Sequence, residues 1–357
     1  MRRALVVRLD NAGDVLLAGP AVRAVAARGV VVTMLAGPNG ADAARLLPGV
    51  DDVLVWRCPW VDPEPGAVEP GEVEDLVRTL SRRGFSLALV LTSFHQSPLP
   101  TALLLRMAGV PWVGATSEDY PGSLLDLRHR IDPEVEADLP EAERALSLAE
   151  AAGFRLPAGD AGALAVRRPL PDVAHLLPPG PFVVLHPGTS VPARAWPPER
   201  FAEAARLLTG AGFTVVVTGA PSERALTALV AGDTGAVDLG GRTTLAGLAA
   251  VLAAADAVVV ANTGPAHLAA AVGTPVVSLF APTVPAARWA PYRVPLVLLG
   301  DQDAVCRDTR VTRCPFQGHP CLASVPATDV LRAVEQTCGS STAASRQPGP
   351  LASGRMR

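Results

Sequence analysis

The stretch Val258-Val259-Val260-Ala261-Asn262-Thr263-Gly264-Pro265-Ala266-His267-Leu268-Ala269-Ala270-Ala271 decides how the rest of the chain is read. Three consecutive valines are stiff at χ1 and suit a strand buried on both faces. The polar turn after them stops the strand, and small residues start a helix at once. Asn262 or Thr263 can cap that helix, and Gly264 carries no side chain to keep a ligand away from the backbone. Pro265 fits the first helical turn, where its missing N–H has no partner to lose. Free N–H groups and the positive end of the helix dipole then collect at one point, which suits a diphosphate. His267 falls in the first turn, within reach of a phosphate oxygen. Alone, the segment is equally well read as a capped strand–turn–helix with a hydrogen-bonded histidine.

The same alternation recurs on both sides of this stretch. Upstream, strands are expected at Phe182–His186, Thr214–Thr218 and Ala236–Leu239, with helices at Pro198–Thr209, Ser222–Ala231 and Leu245–Ala255. Downstream, Pro275–Phe280 reads as a strand and Ala327–Thr337 as a last helix. The first half gives strands at Ala4–Leu9, Val30–Leu35, Asp52–Val55, Leu87–Leu91 and Trp112–Gly114. Helices are expected between them at Val15–Ala27, Glu72–Arg83 and Pro100–Ala108, and then a longer one over Val135–Gly153. Short apolar runs joined by helices of this length indicate parallel strands with crossover connections. The pattern lapses across Leu156–Pro181, which marks a linker. The expected organisation is a Rossmann-like domain over 1–160, a linker over 161–180, a second Rossmann-like domain over 181–338 and a disordered tail over 339–357. Two doubly wound halves leave a cleft between the carboxyl ends of their strands.

Composition narrows the function. The chain has 357 residues, 49 % hydrophobic and 18 % charged, with a formal net charge of −3. That suits a globular protein and offers no basic field for nucleic acid. It contains no lysine, so a P-loop lysine and a Schiff-base lysine are both excluded. The uncharged run from Ala257 to Ala287 is broken by glycines and prolines into pieces too short to span a bilayer, and no transmembrane segment is expected. Five cysteines without a secretion signal point to a reduced cytoplasmic setting.

Three other strand ends carry polar residues. Leu185-His186-Pro187-Gly188-Thr189-Ser190 precedes Arg194, so Thr189, Ser190 and Arg194 can surround a phosphate; the plainer reading is a surface turn with a solvated arginine. Thr218-Gly219-Ala220-Pro221-Ser222-Glu223 places Glu223 either against ribose hydroxyls or in an ordinary helix cap. Leu9-Asp10-Asn11-Ala12-Gly13-Asp14 puts Asp14 at a helix start, where a carboxylate stays ionised and can act as a general base, with Asp10 as its rival. No G-x-G-x-x-G or G-x-S-x-G follows any strand, which removes the main support for a dehydrogenase or an α/β-hydrolase. Asp301-Gln302-Asp303 reads as a surface loop. Cys306, Cys314, His319 and Cys321 lack a C-x₂-C knuckle, so packing or a disulfide-capable loop is favoured over a metal.

Taken in order, Gly13-Asp14, SFHQSPLPTALLLRMAG (93–109), HPGTS…RAWPPERF, TGAPSE, LGGRTTLAGLAA, NTGPAHLAAAVGTPVVSLFAPT and CPFQGHPCL resemble the heptosyltransferase-like glycosyltransferases of family 9. The resemblance covers most of residues 4–338. It implies a GT-B fold and inverting transfer from a nucleotide-diphospho-sugar, with heptose one candidate sugar and no cofactor or metal. By the same resemblance Asp14 is the catalytic base, Thr189, Ser190 and Arg194 contact the diphosphate, Glu223 contacts the nucleoside, and Thr263, Gly264 and His267 form the phosphate turn. The implied acceptor is a glycan, a lipid-linked glycan or a small molecule; a lipid-linked acceptor would place the protein at the inner face of the membrane. The family usually has an Asp where Asn262 stands, which alters a donor-sugar contact. Rival readings are a non-catalytic nucleotide-sugar-binding relative and a nucleotide-sugar hydrolase or epimerase.

Overall fold

The structure, a computed structural model, describes residues 2–62, 64–93 and 95–344. The first half contains β1 (Arg3–Arg8), α1 (Ala12–Leu17), α2 (Gly19–Ala26), β2 (Val31–Ala36), α3 (Ala41–Leu46), β3 (Asp52–Val55) and α4 (Pro70–Arg83). It continues through β4 (Leu87–Val90), α5 (Leu99–Met107), β5 (Val113–Thr116), β6 (Leu127–His129), α6 (Pro133–Asp138) and α7 (Glu141–Ala151). The second half holds β7 (Phe182–His186), α8 (Pro198–Gly210), β8 (Thr214–Val217), α9 (Arg224–Ala231), β9 (Val237–Asp238), α10 (Leu245–Ala254) and β10 (Ala257–Ala261). After these come α11 (Gly264–Val272), β11 (Val276–Leu279), α12 (Ala286–Trp289), β12 (Leu296–Leu299), α13 (Pro320–Ala323) and α14 (Ala327–Ala344).

Two six-stranded sheets result, in the orders β3-β2-β1-β4-β5-β6 and β12-β11-β10-β7-β8-β9. Every pairing is parallel. Both are the doubly wound order, in which the winding reverses between β1 and β4 in one sheet and between β7 and β10 in the other. At such a reversal the two flanking connections leave on opposite faces, so a crevice opens beyond the strand ends. The strands beside it are the ones the sequence marks as fully apolar, such as Ala257–Ala261 with every residue buried.

Several expected helices are interrupted for local reasons. The helix read over 15–27 is two, α1 and α2, because Pro20 has no N–H to bond back to Leu16. The one read over 135–153 divides at Pro140, which also biases Leu139 out of helical geometry. A 3-10 turn, Pro221–Glu223, precedes α9. The last helix runs on to Ala344, so 339–344 are helical rather than disordered: adding residues to an existing helix is cheaper than nucleating one. The rest of the expected tail, 345–357, lies outside the described residues.

The apolar core beneath the cleft is shared. Leu16, Leu17 and Leu47 of the first half belong to one buried cluster with Leu248, Leu252 and Leu268 of the second. Helix α1 packs against α11, and α3 against α10. The segment between α7 and β7 lies along the first half, where the Arg167 N–H donates to Leu46 O at 2.7 Å and Arg23 pairs with Asp160 at 2.6 Å. This packing fixes the distance across the cleft.

Candidate active site

A cavity of about 360 Å³ lies where the two strand-order reversals face each other. Asp14, Ser190, Arg194, Asn262, Thr263, Gly264 and His267 all line it. Thr189 and Glu223 do not. The Thr189 hydroxyl accepts from the Val191 N–H at 3.2 Å, and the Glu223 carboxylate accepts from the Ala220 N–H at 2.7 Å, against the backbone of Gly188.

On the second-half wall, the start of α11 is left open. Thr263 is the N-cap residue, extended at φ −146°, ψ 174°, and its side chain makes no capping bond. Asn262 is occupied elsewhere: Nδ2 donates to Ala281 O at 3.1 Å, and Oδ1 accepts from Ala281 N–H at 3.2 Å. The first-turn amides of α11 therefore have no side-chain cap, and the positive end of the helix meets the cavity. Arg194 donates to Asn262 O at 3.3 Å, and its Nε is buried without a partner. Burial, and then the nearby Arg310, pull the Arg194 guanidinium below its usual range, with Asp14 opposing. An anion here would relieve both effects. His267 is 6 % exposed, its Nδ1 is unpartnered, and burial with Arg194 pushes its pKa down to about 4. It is a neutral imidazole at neutral pH. Its ring can donate one hydrogen bond but contributes no charge.

The first-half wall is built on a buried arginine that the sequence reading did not assign. Arg8, at the end of β1, is 2 % exposed. Its NH2 donates to Asp14 Oδ1 and to the Ser93 hydroxyl, at 3.0 and 2.9 Å. Its Nε lies 2.9 Å from Asp10 Oδ2, and NH1 lies 3.9 Å from Glu141. Burial opposes the guanidinium's charge, but the three carboxylates outweigh it and hold its pKa above the usual value. Burial raises Asp10 and Glu141 above the ordinary carboxylate range, with Arg8 opposing in each case. Asp10 lines the cavity too, but it accepts from Gln96 Nε2 at 2.6 Å, and its side chain is 10 % exposed against 22 % for Asp14. From the opposite half, Trp289 Nε1 reaches Asp14 Oδ1 at 3.5 Å and Arg288 reaches Glu141 at 3.6 Å.

The two walls meet at glycines. A Cβ on Gly13 would stand 2.9 Å from the His267 ring and 3.3 Å from Gly264 Cα. That close approach brings the Asp14 turn directly opposite the start of α11. Ser93, Gln96, His95 and Arg310 also line the cavity. Ser93 and Gln96 sit in the loop that follows β4, beside the first reversal, so strand order points to that loop. Glu141 and Arg288 are remote in sequence and carry no motif.

The cysteine cluster lies away from this cavity. Cys306 and Cys321 are buried free thiols that touch each other, and His319 Nε2 is 3.0 Å from Ala193 O. Among the described residues no group of three His, Cys, Asp or Glu is arranged to hold a metal ion. Asp301 and Asp303 are exposed in a surface loop, as the sequence reading expects.

The model of "Glycosyltransferase family 9 (heptosyltransferase)" matches residues 73–319. The chain belongs to glycosyltransferase family 9. Lipopolysaccharide heptosyltransferase 1 of Pseudomonas aeruginosa is 28 % identical over 338 residues, covering 88 % of each chain. Among solved structures, a family 9 glycosyl transferase from Veillonella parvula superposes with a TM-score of 0.78 at 19 % identity, covering 95 % of this chain and 98 % of that one. The E. coli heptosyltransferase WaaC, solved with ADP-2-deoxy-2-fluoro heptose, gives 0.69 at 22 % identity, covering 94 % and 99 %. The architecture is the GT-B arrangement, and the enzyme class is that of nucleotide-sugar-dependent glycosyltransferases. Among the described residues, no helix is long and apolar enough to cross a membrane.

Proposed function

We propose that this family 9 glycosyltransferase moves a sugar, with inversion, from a nucleotide-diphospho-sugar to an acceptor hydroxyl, without a metal. The observation that carries the reading is the opposition of two unlike groups across one cavity. Asp14 stands on one wall, and the uncapped start of α11 with Arg194 stands on the other. Asp14 accepts the proton of the acceptor hydroxyl as that oxygen bonds to the anomeric carbon. The bond from the anomeric carbon to the diphosphate oxygen breaks, and the departing diphosphate gains negative charge. The α11 amides, Arg194 and the neutral His267 meet that charge in a site where burial strengthens each contact. Attack from the wall opposite the leaving group inverts the anomeric centre.

ADP is the nucleotide of choice to test first, since WaaC was solved with an ADP-sugar. A heptose is the first sugar to try, and the acceptor is a glycan, lipid-linked or small-molecule hydroxyl. The protein works from the cytoplasmic side, at the membrane surface where the acceptor is lipid-linked. A thermal-shift screen against ADP-, GDP-, UDP- and dTDP-sugars identifies the donor, because a ligand that binds only the native state raises Tm. Proton NMR of the product then reads the anomeric configuration. Inverted product is expected in the presence of a chelator; retained configuration, or loss of turnover on chelation, contradicts the proposal.

A further inference from the structure

Behind the cavity, and not lining it, one carboxylate connects the two halves. Glu141 begins α7 and is 2 % exposed. Its two oxygens face different halves: Oε2 lies 3.9 Å from Arg8 NH1, and Oε1 lies 3.6 Å from Arg288 NH1 of α12. Among the described residues, neither oxygen accepts a hydrogen bond. Burial drives such a group toward its neutral form, Asp14 adds to that, and Arg8, Arg144 and Arg288 oppose it. The start of α7 also opposes it, because the helix dipole favours an anion there. A buried ion pair of this kind adds little stability over apolar packing, so stability alone is a poor reason for it.

The consequence falls on Arg8. Each nitrogen of its guanidinium meets a different carboxylate: Nε meets Asp10, NH2 meets Asp14 and NH1 meets Glu141. Asp10 and Asp14 draw the cation toward the cavity, and Glu141 draws it back. Without the third carboxylate, Arg8 would turn its charge wholly onto the other two. A cation committed to a carboxylate makes it a poorer proton acceptor, and a base slightly displaced loses its line to the acceptor hydroxyl. We propose that Glu141 is a positioning residue for the transfer, holding Arg8 by its third nitrogen so that Asp14 stays placed to take the acceptor's proton. This rests on the reading of Asp14 as the base. A merely mechanical link between the halves would favour a different residue. Glu143, also on α7, accepts from Tyr292 Oη at 2.6 Å and lies 3.5 Å from Arg293, so it makes the closer bond across the halves. The carboxylates acting on Arg8 are Asp10, Asp14 and Glu141.

The test compares Glu141→Gln with Glu143→Gln in the full chain, with ADP-heptose as donor and water plus a set of methyl glycosides as acceptors. Glu141→Gln is expected to lower kcat about tenfold while the Kd of ADP stays within about twofold of wild type. Glu143→Gln is expected to leave both near wild type. Wild-type kcat in Glu141→Gln, equal losses in the two variants, or a parallel loss of ADP affinity overturns the inference. Asp14→Asn in the same assay separates the two levels: wild-type turnover there removes the base itself, and this inference falls with the proposed function. If Glu141→Gln does not fold, Glu141→Asp decides, since it keeps the charge but draws it back by one carbon. A several-fold loss of kcat is then expected, and wild-type kcat overturns the inference. If none of the acceptors is used, crystal structures of the two Gln variants decide. Arg8 is expected to shift against Asp14 in Glu141→Gln and to stay in Glu143→Gln; an unmoved Arg8–Asp14 pair in Glu141→Gln overturns the inference.

Discussion

At Asn262 a single side chain decides between two uses of one position. Its carboxamide both donates to and accepts from the main chain of Ala281, which ties the end of β10 to the residues just after β11. A carboxylate can accept but cannot donate. Asn262→Asp, which restores the residue the family resemblance leads one to expect, sets a negative charge against the Ala281 carbonyl. It is expected to cost about 1–3 kcal/mol in urea denaturation, the usual penalty for a buried group left unsatisfied. His267 gives a second prediction at this scale. Its folded pKa is about 4 because burial, then Arg194, disfavour the imidazolium, whereas an unfolded histidine titrates near 6.5. Between those values the unfolded chain binds the proton and the folded chain does not, so stability falls as pH drops from 6.5 toward 4. At pH 5 the loss from this residue is roughly 2 kcal/mol. His267→Gln should flatten that part of the stability–pH curve, as urea midpoints at pH 7 and pH 5 will show; an unchanged slope contradicts the assignment.

Among elements, the contact between α1 and α11 matters most, because it places Asp14, the proposed base, opposite the start of α11. Gly13 allows it: a Cβ there meets the His267 ring at 2.9 Å, whereas a Cβ on Gly264 meets nothing nearer than Gly13 N at 3.5 Å. Gly13→Ala should therefore lower stability by about 1–3 kcal/mol, the range for overpacking, and widen the cleft. Gly264→Ala should leave Tm nearly unchanged; equal Tm losses would remove the argument. The sequence made the elements themselves legible wherever apolar runs were long, as at Val258–Val260 and Leu87–Leu91. It hid the short ones. Helix α3 is six residues, half of them alanine, strand β6 is Leu127-Arg128-His129 at a sheet edge, and β12 sits in a proline-rich stretch, so none has enough period to stand out. Strand ends revealed Asp14, Arg194 and His267 because polar residues there interrupt a buried run. The buried Arg8–Glu141–Arg288 connection stayed invisible because only the tertiary fold brings α7 and α12 to β1.

For the whole molecule, the apolar core shared beneath the cleft and the charges above it serve one arrangement. The halves are held at a fixed spacing by Leu16, Leu17, Leu248 and Leu268, and Trp289 crosses the cleft to Asp14. In the proposed mechanism Asp14 takes the acceptor's proton while the opposite wall alone holds the donor. The direct measurement is turnover and donor affinity on the same preparation of Asp14→Asn, a change that removes the proposed base and keeps the side chain's size. A fall in kcat of at least about a hundredfold is expected, the usual lower bound for losing a general base, with donor Kd within a few-fold of wild type. Turnover at the wild-type rate, or loss of donor binding together with turnover, would contradict that mechanism.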